Sequence, residues 1–189
     1  MPAHEPAPDR ASAVHSGVLN DPAAGSIGVW VTRNGVRRIG PVTPKMIEDG
    51  HWDPDGHPTL STALQQLDHY LKGKRKDFDL PLDFSGATEF QRRIYGRLME
   101  IPYGRIVSYG DIADELGEPG AARAVGQAVG ANPLPIVVPC HRVVRSDGKL
   151  GGYSGGLCLK VALLAIEGIA VDGQQSGSRV HPELLRLPL

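Results

Sequence analysis

The chain separates into blocks by the period of its apolar residues. Ile27-Gly28-Val29-Trp30-Val31 is a β-rich run, Asn34-Gly35 is a tight-turn pair, and Val36-Arg37-Arg38-Ile39 follows, so a hairpin is predicted. Leu60, Ala63, Leu64, Leu67 and Leu71 recur at i, i+3 and i+4, which predicts an amphipathic helix over about 60–71. Lys72, Lys74, Arg75 and Lys76 close it. Such a run is the solvated end of a helix, favoured by its dipole, with a minor part in steering towards DNA as the alternative. Residues 79–84 read as an extended linker or edge strand. A second helix carries Phe90, Ile94, Tyr95, Leu98 and Met99 on its buried stripe, with Ser85 or Thr88 as N-cap; Ile101-Pro102-Tyr103-Gly104 ends it. Arg105-Ile106-Val107 is short and extended. Ser108, with Asp111 three residues on, opens a helix whose Ile112, Ala113 and Leu116 face inward. Gly117 stops it, and Glu118-Pro119-Gly120 turns the chain. Another helix follows over about 121–129. Helix, short glycine-containing turn, helix is the syntax of a helix-turn-helix. Leu159, Ala162, Leu163 and Ile166 mark a last helix over about 159–166.

Between and beyond these blocks periodicity fails. Residues 1–24 hold many Ala, Pro, His and Gly and are expected to form a flexible tail. Residues 40–58, rich in Pro, Gly, Asp and His, are expected to form a long loop. His51, Asp53, Asp55 and His57 alternate there, and a solvated loop is preferred to a metal site. From 169 to 189 the chain reads as an appendage, with a loop at 172–178 and a brief helical turn at 181–187. The expected organisation is therefore a tail (1–24), an N-terminal α/β domain (25–84), a mostly helical C-terminal domain (85–168) and a second tail (169–189).

The 189 residues allow one large domain or two small ones, and 41% hydrophobic content supports a real core. Net charge is −1, so composition does not itself suggest nucleic-acid binding. Split by region, residues 1–84 hold 9 Lys/Arg against 11 Asp/Glu, and residues 85–160 hold 9 against 7. The small basic excess of the second region permits a DNA face with a weak non-specific electrostatic component. Two cysteines, Cys140 and Cys158, make a poor disulfide framework and are expected to be intracellular thiols. No basic segment leads into an apolar one at the start and no window suits a bilayer, so neither a signal peptide nor a membrane partner is expected.

Candidate chemistry concentrates in residues 131–156, ANPLPIVVPCHRVVRSDGKLGGYSGG. Ile136-Val137-Val138, between Pro135 and Pro139, cannot be a helix interior and is read as extended, with Cys140 at its end. A thiol attacks as its thiolate and needs a base or a cation nearby. His141 and Arg142 follow directly, although side chains at i and i+1 of an extended segment face opposite sides. A buried structural cysteine and a reactive one both fit this much. Gly151-Gly152-Tyr153-Ser154-Gly155-Gly156 is a loop whose backbone bends sharply or approaches a ligand; a surface turn also fits Tyr153 and Ser154 taken alone. The helix at 121–129 is built from Ala121, Ala122, Ala124, Gly126 and Ala128, with Arg123 its single charge. It lacks the long polar side chains that read base edges in the major groove. Its small residues suit either close approach to DNA or tight helix packing. Glu167 follows the last helix at an end where the dipole disfavours an acid, which hints at a purpose beyond solvation.

Pro139-Cys140-His141-Arg142-Val143 resembles the signature of the O6-alkylguanine-DNA alkyltransferases, direct-reversal repair proteins also called methylated-DNA–protein-cysteine methyltransferases. Phe90-Gln91, Ile101-Pro102-Tyr103-Gly104, Ser108-Tyr109, Ala122-Arg123-Ala124-Val125-Gly126, Asn132-Pro133, Gly152-Tyr153-Ser154-Gly155-Gly156-Leu157 and Leu163-Leu164-Ala165-Ile166-Glu167-Gly168 follow in that family's order and spacing. The match is dense over about 85–168 and loose over about 26–84. The resemblance implies an α/β two-domain fold: a small ribonuclease-H-like N-terminal domain in a buttressing role, then a mostly helical, winged-helix-like domain carrying the helix-turn-helix. It implies a single-turnover transfer of the alkyl group of O6-alkylguanine, with O4-alkylthymine a further candidate, to Cys140. The nucleotide is flipped through the minor groove of duplex DNA.

In that scheme Cys140 is the nucleophile, His141 draws off its proton through a water, and Glu167 orients the imidazole. Asn132 ties the helix-turn-helix to the active-site segment. Ala122, Ala124 and Gly126 let the helix approach the groove, Arg123 takes the place of the flipped base, and Tyr109 crowds the 3′ phosphate. Tyr109, Val143, Tyr153, Ser154, Gly155 and Gly156 build the pocket. Tyr153 points to N3, the Ser154 amide to O6, and the carbonyls of Cys140 and Val143 to the exocyclic amine; the two glycines leave room for the alkyl group. Arg142 braces the two halves through an ion pair. No metal and no cofactor are implied. The partner is double-stranded DNA carrying the lesion, met by a monomer in the cytoplasm, at the nucleoid when in use; cooperative assembly on DNA stays open. The chain departs from the family in lacking the cysteines that hold zinc in some N-terminal domains. It also has Tyr95 where tryptophan is common, which reads as packing. Cys158 is expected to be a core or semi-exposed thiol.

Three other readings compete. A non-catalytic alkylated-DNA-binding protein that recruits excision repair would lack the cysteine that is present here. A thiol hydrolase on Cys140 and His141 would turn over. A winged-helix regulator would bind one operator, which the alanine-rich helix disfavours.

Overall fold

The computed structural model describes residues 15–175 and 177–181. The predicted hairpin is present: β2 (Gly25–Thr32) and β3 (Gly35–Pro41) pair antiparallel, with Val29 opposite Ile39. Gly35 sits at φ +131, and a Cβ there would stand 2.3 Å from the Pro81 carbonyl oxygen, so the turn admits only glycine. β1 (His15–Asp21) pairs with the other edge of β2, Val18 opposite Gly28. This corrects the expectation of a tail for residues 15–24; residues 1–14 of that expected tail lie outside the described residues. Val18 and Leu19 are the strand's only large apolar residues, and its order comes from pairing with β2 rather than from its own pattern.

The expected loop at 40–58 also holds structure. α1 (Pro44–Asp49) is capped by Thr43, whose hydroxyl accepts from Met46 N, and it starts on a proline. It buries none of its residues, so no apolar stripe betrayed it. α2 (Pro58–Leu71) starts slightly earlier than predicted, capped by the His57 ring, and lays Leu60, Ala63, Leu67 and Tyr70 on the sheet. α3 (Glu89–Met99) is capped reciprocally by Thr88 and Gln91, not by Ser85. Ile94, Tyr95 and Leu98 are buried, whereas Met99, expected on the same stripe, is exposed at the helix end.

β4 (Val107–Ser108) leads into α4 (Tyr109–Glu115), with the Ser108–Asp111 capping box formed in both directions. α5 (Ala122–Gly130) follows and packs on both α4 and α3. β5 (Val143–Val144) pairs parallel with β4, and α6 (Leu157–Ile166) ends one residue before Glu167. The stretch after 168 is more than an appendage: Ile169 and Val180 are buried, and Val171 bridges Val180. Of the helical turn expected at 181–187, all but His181 lies outside the described residues.

One buried cluster runs from Val29 and Val31 of the sheet through Leu67 and Tyr70 of α2 to Ile94 and Leu98 of α3, Val125 of α5 and Cys140. The two halves thus share a core, and Cys140 belongs to it. Among the described residues no helix is long and apolar enough to cross a membrane, and no three His, Cys, Asp or Glu side chains gather where a metal ion would be held.

Candidate active site

The chain reaches Cys140 through a tight turn, not the extended run expected from its β-branched residues. Val138 N donates to the Leu134 carbonyl at 2.8 Å, and Ile136 sits at φ +77. That region is strained for a β-branched residue and persists only where surroundings enforce it. Here the side chain is 1% exposed within the core, and Asn132 clamps both ends of the turn. Its Nδ2 donates to the Val138 carbonyl at 2.9 Å, and its Oδ1 accepts from Leu134 N at 3.0 Å. Asn132 therefore fastens the end of α5 to the segment that carries Cys140.

Cys140–Arg142 form one turn of 3-10 helix, which swings His141 and Arg142 into the same buried region. His141 Nε2 lies 2.8 Å from Glu167 Oε1 and 3.2 Å from the Tyr70 hydroxyl, which itself donates to Glu167 Oε1. Arg142 gives Nε to both carboxylate oxygens at 3.0 Å, Nη2 to Oε1 at 2.9 Å and Nη1 to the Ile101 carbonyl at 2.5 Å. Gly104 N donates to Oε2 at 2.9 Å. The Arg142 ion pair therefore lies within the C-terminal half, which corrects the expectation that it braces the two halves. Tyr70, from α2, is the side chain that reaches across.

Burial alone would raise the Glu167 carboxyl, but hydrogen bonds from His141 and Arg142 and the Arg142 charge outweigh it and hold the group at about 2. Burial pushes His141 down against the pull of that carboxylate, so the imidazole is neutral near pH 7. The hydrogen-bond network assigns its proton to Nε2, since a bare Nε2 would face a carboxylate oxygen. Nδ1 is left buried with no partner from the protein, and no hydrogen bond joins it to Cys140 directly.

The Cys140 thiol is 1% exposed. Burial pushes it up, opposed by Asn132, by the Lys160 charge and by the Tyr153 hydroxyl, and it rests protonated. Lys160 is fully buried on α6 and donates to the carbonyls of Val143 at 2.7 Å and Leu150 at 2.6 Å. Burial brings its ammonium down to about 8. The buried Tyr153 hydroxyl has no nitrogen or oxygen partner. Burial first, then the facing Cys140 sulfur, drive its phenol well above the usual range.

Beside this centre opens a cleft of about 440 Å³. Tyr109, Arg123, Gly126, Gln127, Arg145, Tyr153 and Ser154 line it. α5 turns Val125, Ala128 and Val129 inward and leaves Arg123, Ala124 and Gln127 outward, with Ala122 half-buried. Cys140 and Val143 do not line the cleft; Tyr109 and Tyr153 do, and both stand near enough to Cys140 that a thiolate there would raise their phenols. Gly155 and Gly156 are not in its wall. A Cβ on Gly155 would meet Leu159 Cδ2 at 2.8 Å and Tyr153 Cε1 at 2.9 Å, so this glycine seats the Tyr153 ring. Gly156 takes φ +85 to open α6.

Sequence reasoning passed over four residues here. Gln127 lies four residues after Arg123, on the same helix face, and that spacing was readable. Arg145 stands exposed at the cleft rim, paired with Asp147 at 3.6 Å. Tyr70 and Lys160 sit on the buried stripes of α2 and α6; a polar tip among apolar neighbours was the only signal for Tyr70, and Lys160 also matches the family but was given no role.

Two family models match the chain. Residues 24–84 match 6-O-methylguanine DNA methyltransferase, ribonuclease-like domain, and residues 89–169 match 6-O-methylguanine DNA methyltransferase, DNA binding domain. The methylated-DNA–protein-cysteine methyltransferase of Mycobacterium bovis is 53% identical over 117 residues, which cover 62% of this chain and 70% of that protein. The inducible enzyme of that name from Bacillus subtilis is 50% identical over 108 residues, 57% of this chain and 60% of its own. The crystal structure of Mycobacterium tuberculosis OGT in complex with DNA superposes with a TM-score of 0.69 at 42% identity, covering 82% of this chain and 92% of that one. The O6-methylguanine-DNA methyltransferase of Pyrococcus kodakaraensis gives 0.62 at 32% identity, over 81% and 99%.

Proposed function

The chain belongs to the methylated-DNA–protein-cysteine methyltransferase family, and on that premise we propose that it repairs O6-alkylguanine in duplex DNA by moving the alkyl group to Cys140, once per molecule. The observation that carries the reading is a buried thiol on the same 3-10 turn as an imidazole whose Nε2 is held by Glu167 and whose Nδ1 has no partner from the protein, beside a cleft lined by Arg123 and Arg145. Residues 85–168 are the DNA-binding and alkyl-transfer unit in this reading, and residues 25–84 its support.

The thiol proton passes to His141 Nδ1 through a water. The S–C bond forms as the C–O6 bond breaks, and the electron pair goes to guanine. The guanine takes up a proton in turn, so the net change is one thiol hydrogen exchanged for one alkyl group. Glu167 holds the imidazole in the tautomer that leaves Nδ1 as base and offsets its charge once it is protonated. Tyr153, whose hydroxyl has no partner of its own, donates to N3 of the base, and the Ser154 amide faces O6. The carbonyls of Cys140 and Val143 accept from the exocyclic amine. That of Val143 already accepts from Lys160 and keeps its second lone pair for the ligand. The thioether is stable and nothing in the scheme restores the thiol.

DNA enters by α5. Ala122, Ala124 and Gly126 bring the helix close to the minor groove, Arg123 fills the gap of the flipped base and Tyr109 presses on the 3′ phosphate. The protein acts as a monomer in the cytoplasm, where the nucleoid is its substrate. Flipping costs a few kcal/mol of unstacking, which explains why an inserted arginine is needed in duplex DNA and not with a free base.

Intact mass after incubation with an O6-methylguanine oligonucleotide tests the reading. One methyl gained by the wild type and by Cys158→Ser, and none by Cys140→Ser, is the expected result; transfer that survives in Cys140→Ser overturns it. Binding without any mass gain would favour the recruiting, non-catalytic alternative, and turnover beyond one equivalent would favour a hydrolase. Arg123→Ala should slow repair of duplex DNA far more than reaction with free O6-benzylguanine. Equal losses would reject its insertion.

A further inference from the structure

Tyr70 belongs to α2 in the N-terminal half, yet its hydroxyl ends inside the catalytic centre. The side chain is fully buried, packed against Phe78 with ring centroids 5.1 Å apart, edge-on to Tyr103 at 6.1 Å and to His141 at 6.5 Å. Packing alone would be met by phenylalanine. The hydroxyl instead makes two contacts that phenylalanine cannot: it donates to Glu167 Oε1 and lies 3.2 Å from His141 Nε2.

A neutral phenol has one proton to give and lone pairs to receive. With that proton on Glu167, the oxygen is left to accept from Nε2–H, which thus points between the Tyr70 oxygen and Glu167 Oε1. The phenol closes a three-membered ring of hydrogen bonds around the imidazole edge opposite Nδ1. Burial, then the Glu167 charge, keep it far from ionising, so its role in the ring does not change over the working pH range. The ionisable neighbours that face it are Glu167, His141 and Arg142; Tyr103, Tyr153 and Lys160 lie further round the same centre.

We propose that Tyr70 is a positioning residue for the proton transfer from Cys140, through which the N-terminal half sets the orientation and basicity of His141. The inference rests on the reading of Cys140 as alkyl acceptor and gives the N-terminal half a part in the chemistry. By donating to Glu167, the hydroxyl weakens that carboxylate's hold on a second imidazole proton. Without it the carboxylate becomes more basic and the imidazolium more stable. The base is then lost at a higher pH.

Single-turnover transfer from an O6-methylguanine duplex, followed by intact mass across a pH series, tests this in the full chain. In Tyr70→Phe the midpoint of the acid limb should rise by about half a pH unit, and the rate near that midpoint should fall about twofold. The loss should shrink as pH rises past the midpoint, and the affinity for the lesion duplex, read with Cys140→Ser in the background, should not change. Site-specific 3-fluorotyrosine at position 70 keeps the ring and the hydroxyl but makes a stronger donor, and it should move the midpoint the other way. That second variant decides the matter where Tyr70→Phe folds poorly. A midpoint unmoved in both variants, or a loss equal at every pH, leaves Tyr70 as packing and overturns the proposal. Failure of the wild type to take up methyl on Cys140 would instead sink the reading on which it rests.

Discussion

Between β2 and α2 the side chains of Val29, Val31, Leu60, Ala63 and Leu67 are all fully buried, and none has a polar atom. On the far side of Tyr70, His141, Arg142, Lys160 and Glu167 are nearly as dry, from 0% to 6% exposed, and every one is ionisable. The first region gains its stability in separate portions, roughly 25 cal/mol for each Å² of apolar surface removed from water. The second gains nothing until it is complete. Each buried charge must find a counter-charge or a carbonyl, and a missing member strands the others. Glu167 alone receives hydrogen bonds from Tyr70, His141, Arg142 and Gly104. The contrast separates what holds the molecule folded from what serves the thiol in the proposed reaction.

Truncation on each side gives the largest expected effect. Glu167→Ala leaves the Arg142 guanidinium buried without its partner and should cost about 3–5 kcal/mol of stability, with transfer abolished. Leu67→Ala should cost a comparable amount, about 2–5 kcal/mol, while the transfer rate per folded molecule stays as in the wild type. Urea unfolding read beside single-turnover rates checks both; a catalytic loss in Leu67→Ala matching that of Glu167→Ala would erase the distinction. The same contrast governs acid. Glu167 is at about 2 in the fold against 4.5 unfolded, so its contribution is present above about 4.5 and lost as pH falls towards 2. His141 is also depressed, from 6.5, so the fold holds fewer protons there and stability begins to fall below about 6.5. His141→Asn should remove the upper part of that acid limb in a pH series of urea midpoints.

A smaller effect is expected at Lys160. Its ammonium is the cation nearest in influence to the Cys140 sulfur, and it fixes the Val143 and Leu150 carbonyls. At about 8 its charge is present below that pH and lost above it. Lys160→Met should slow transfer about tenfold at neutral pH. The wild-type rate should decline above about pH 8, and the variant should lack that decline. An alkaline limb that persists in Lys160→Met would assign it to another group.

The regular parts of this fold were legible because apolar spacing is local information. The Asn34-Gly35 hairpin, the stripe of α2 and the Ser108–Asp111 cap could all be read from neighbours within four residues. β1 and α1 could not, since one depends on its partner strand and the other buries nothing. Within the site, Cys140, His141, Asn132 and Glu167 were named from their motifs; His141 meets Glu167, and Asn132 holds the turn that leads to Cys140. Their geometry was not legible. The β-branched run before Cys140 predicts a strand, and the chain instead makes a turn with Ile136 at φ +77, which core packing and the Asn132 clamp enforce together. The redirected partner of Arg142 and the arrival of Tyr70 are contacts across 25 and 97 residues of sequence, where no periodicity reaches.

The cations of the two halves offer the finest test. Lys72 pairs with Asp68 at 2.6 Å, Arg75 lies 3.7 Å from Asp77 and Lys76 lies over the Tyr103 ring, and none of the three is among the residues that line the cleft. Arg123 and Arg145 stand exposed in the lining of that cleft. Each protein cation that neutralises a phosphate adds about 0.9 to the slope of log affinity against log salt. Arg145→Ala should therefore reduce the slope for an undamaged duplex by about one, with only a modest change in affinity at low salt. Lys72→Ala with Lys74→Ala should leave it unchanged. Fluorescence anisotropy over a salt series separates the two. A slope that drops for the lysine pair and not for Arg145 would place the DNA path along α2 and move the whole DNA contact away from α5.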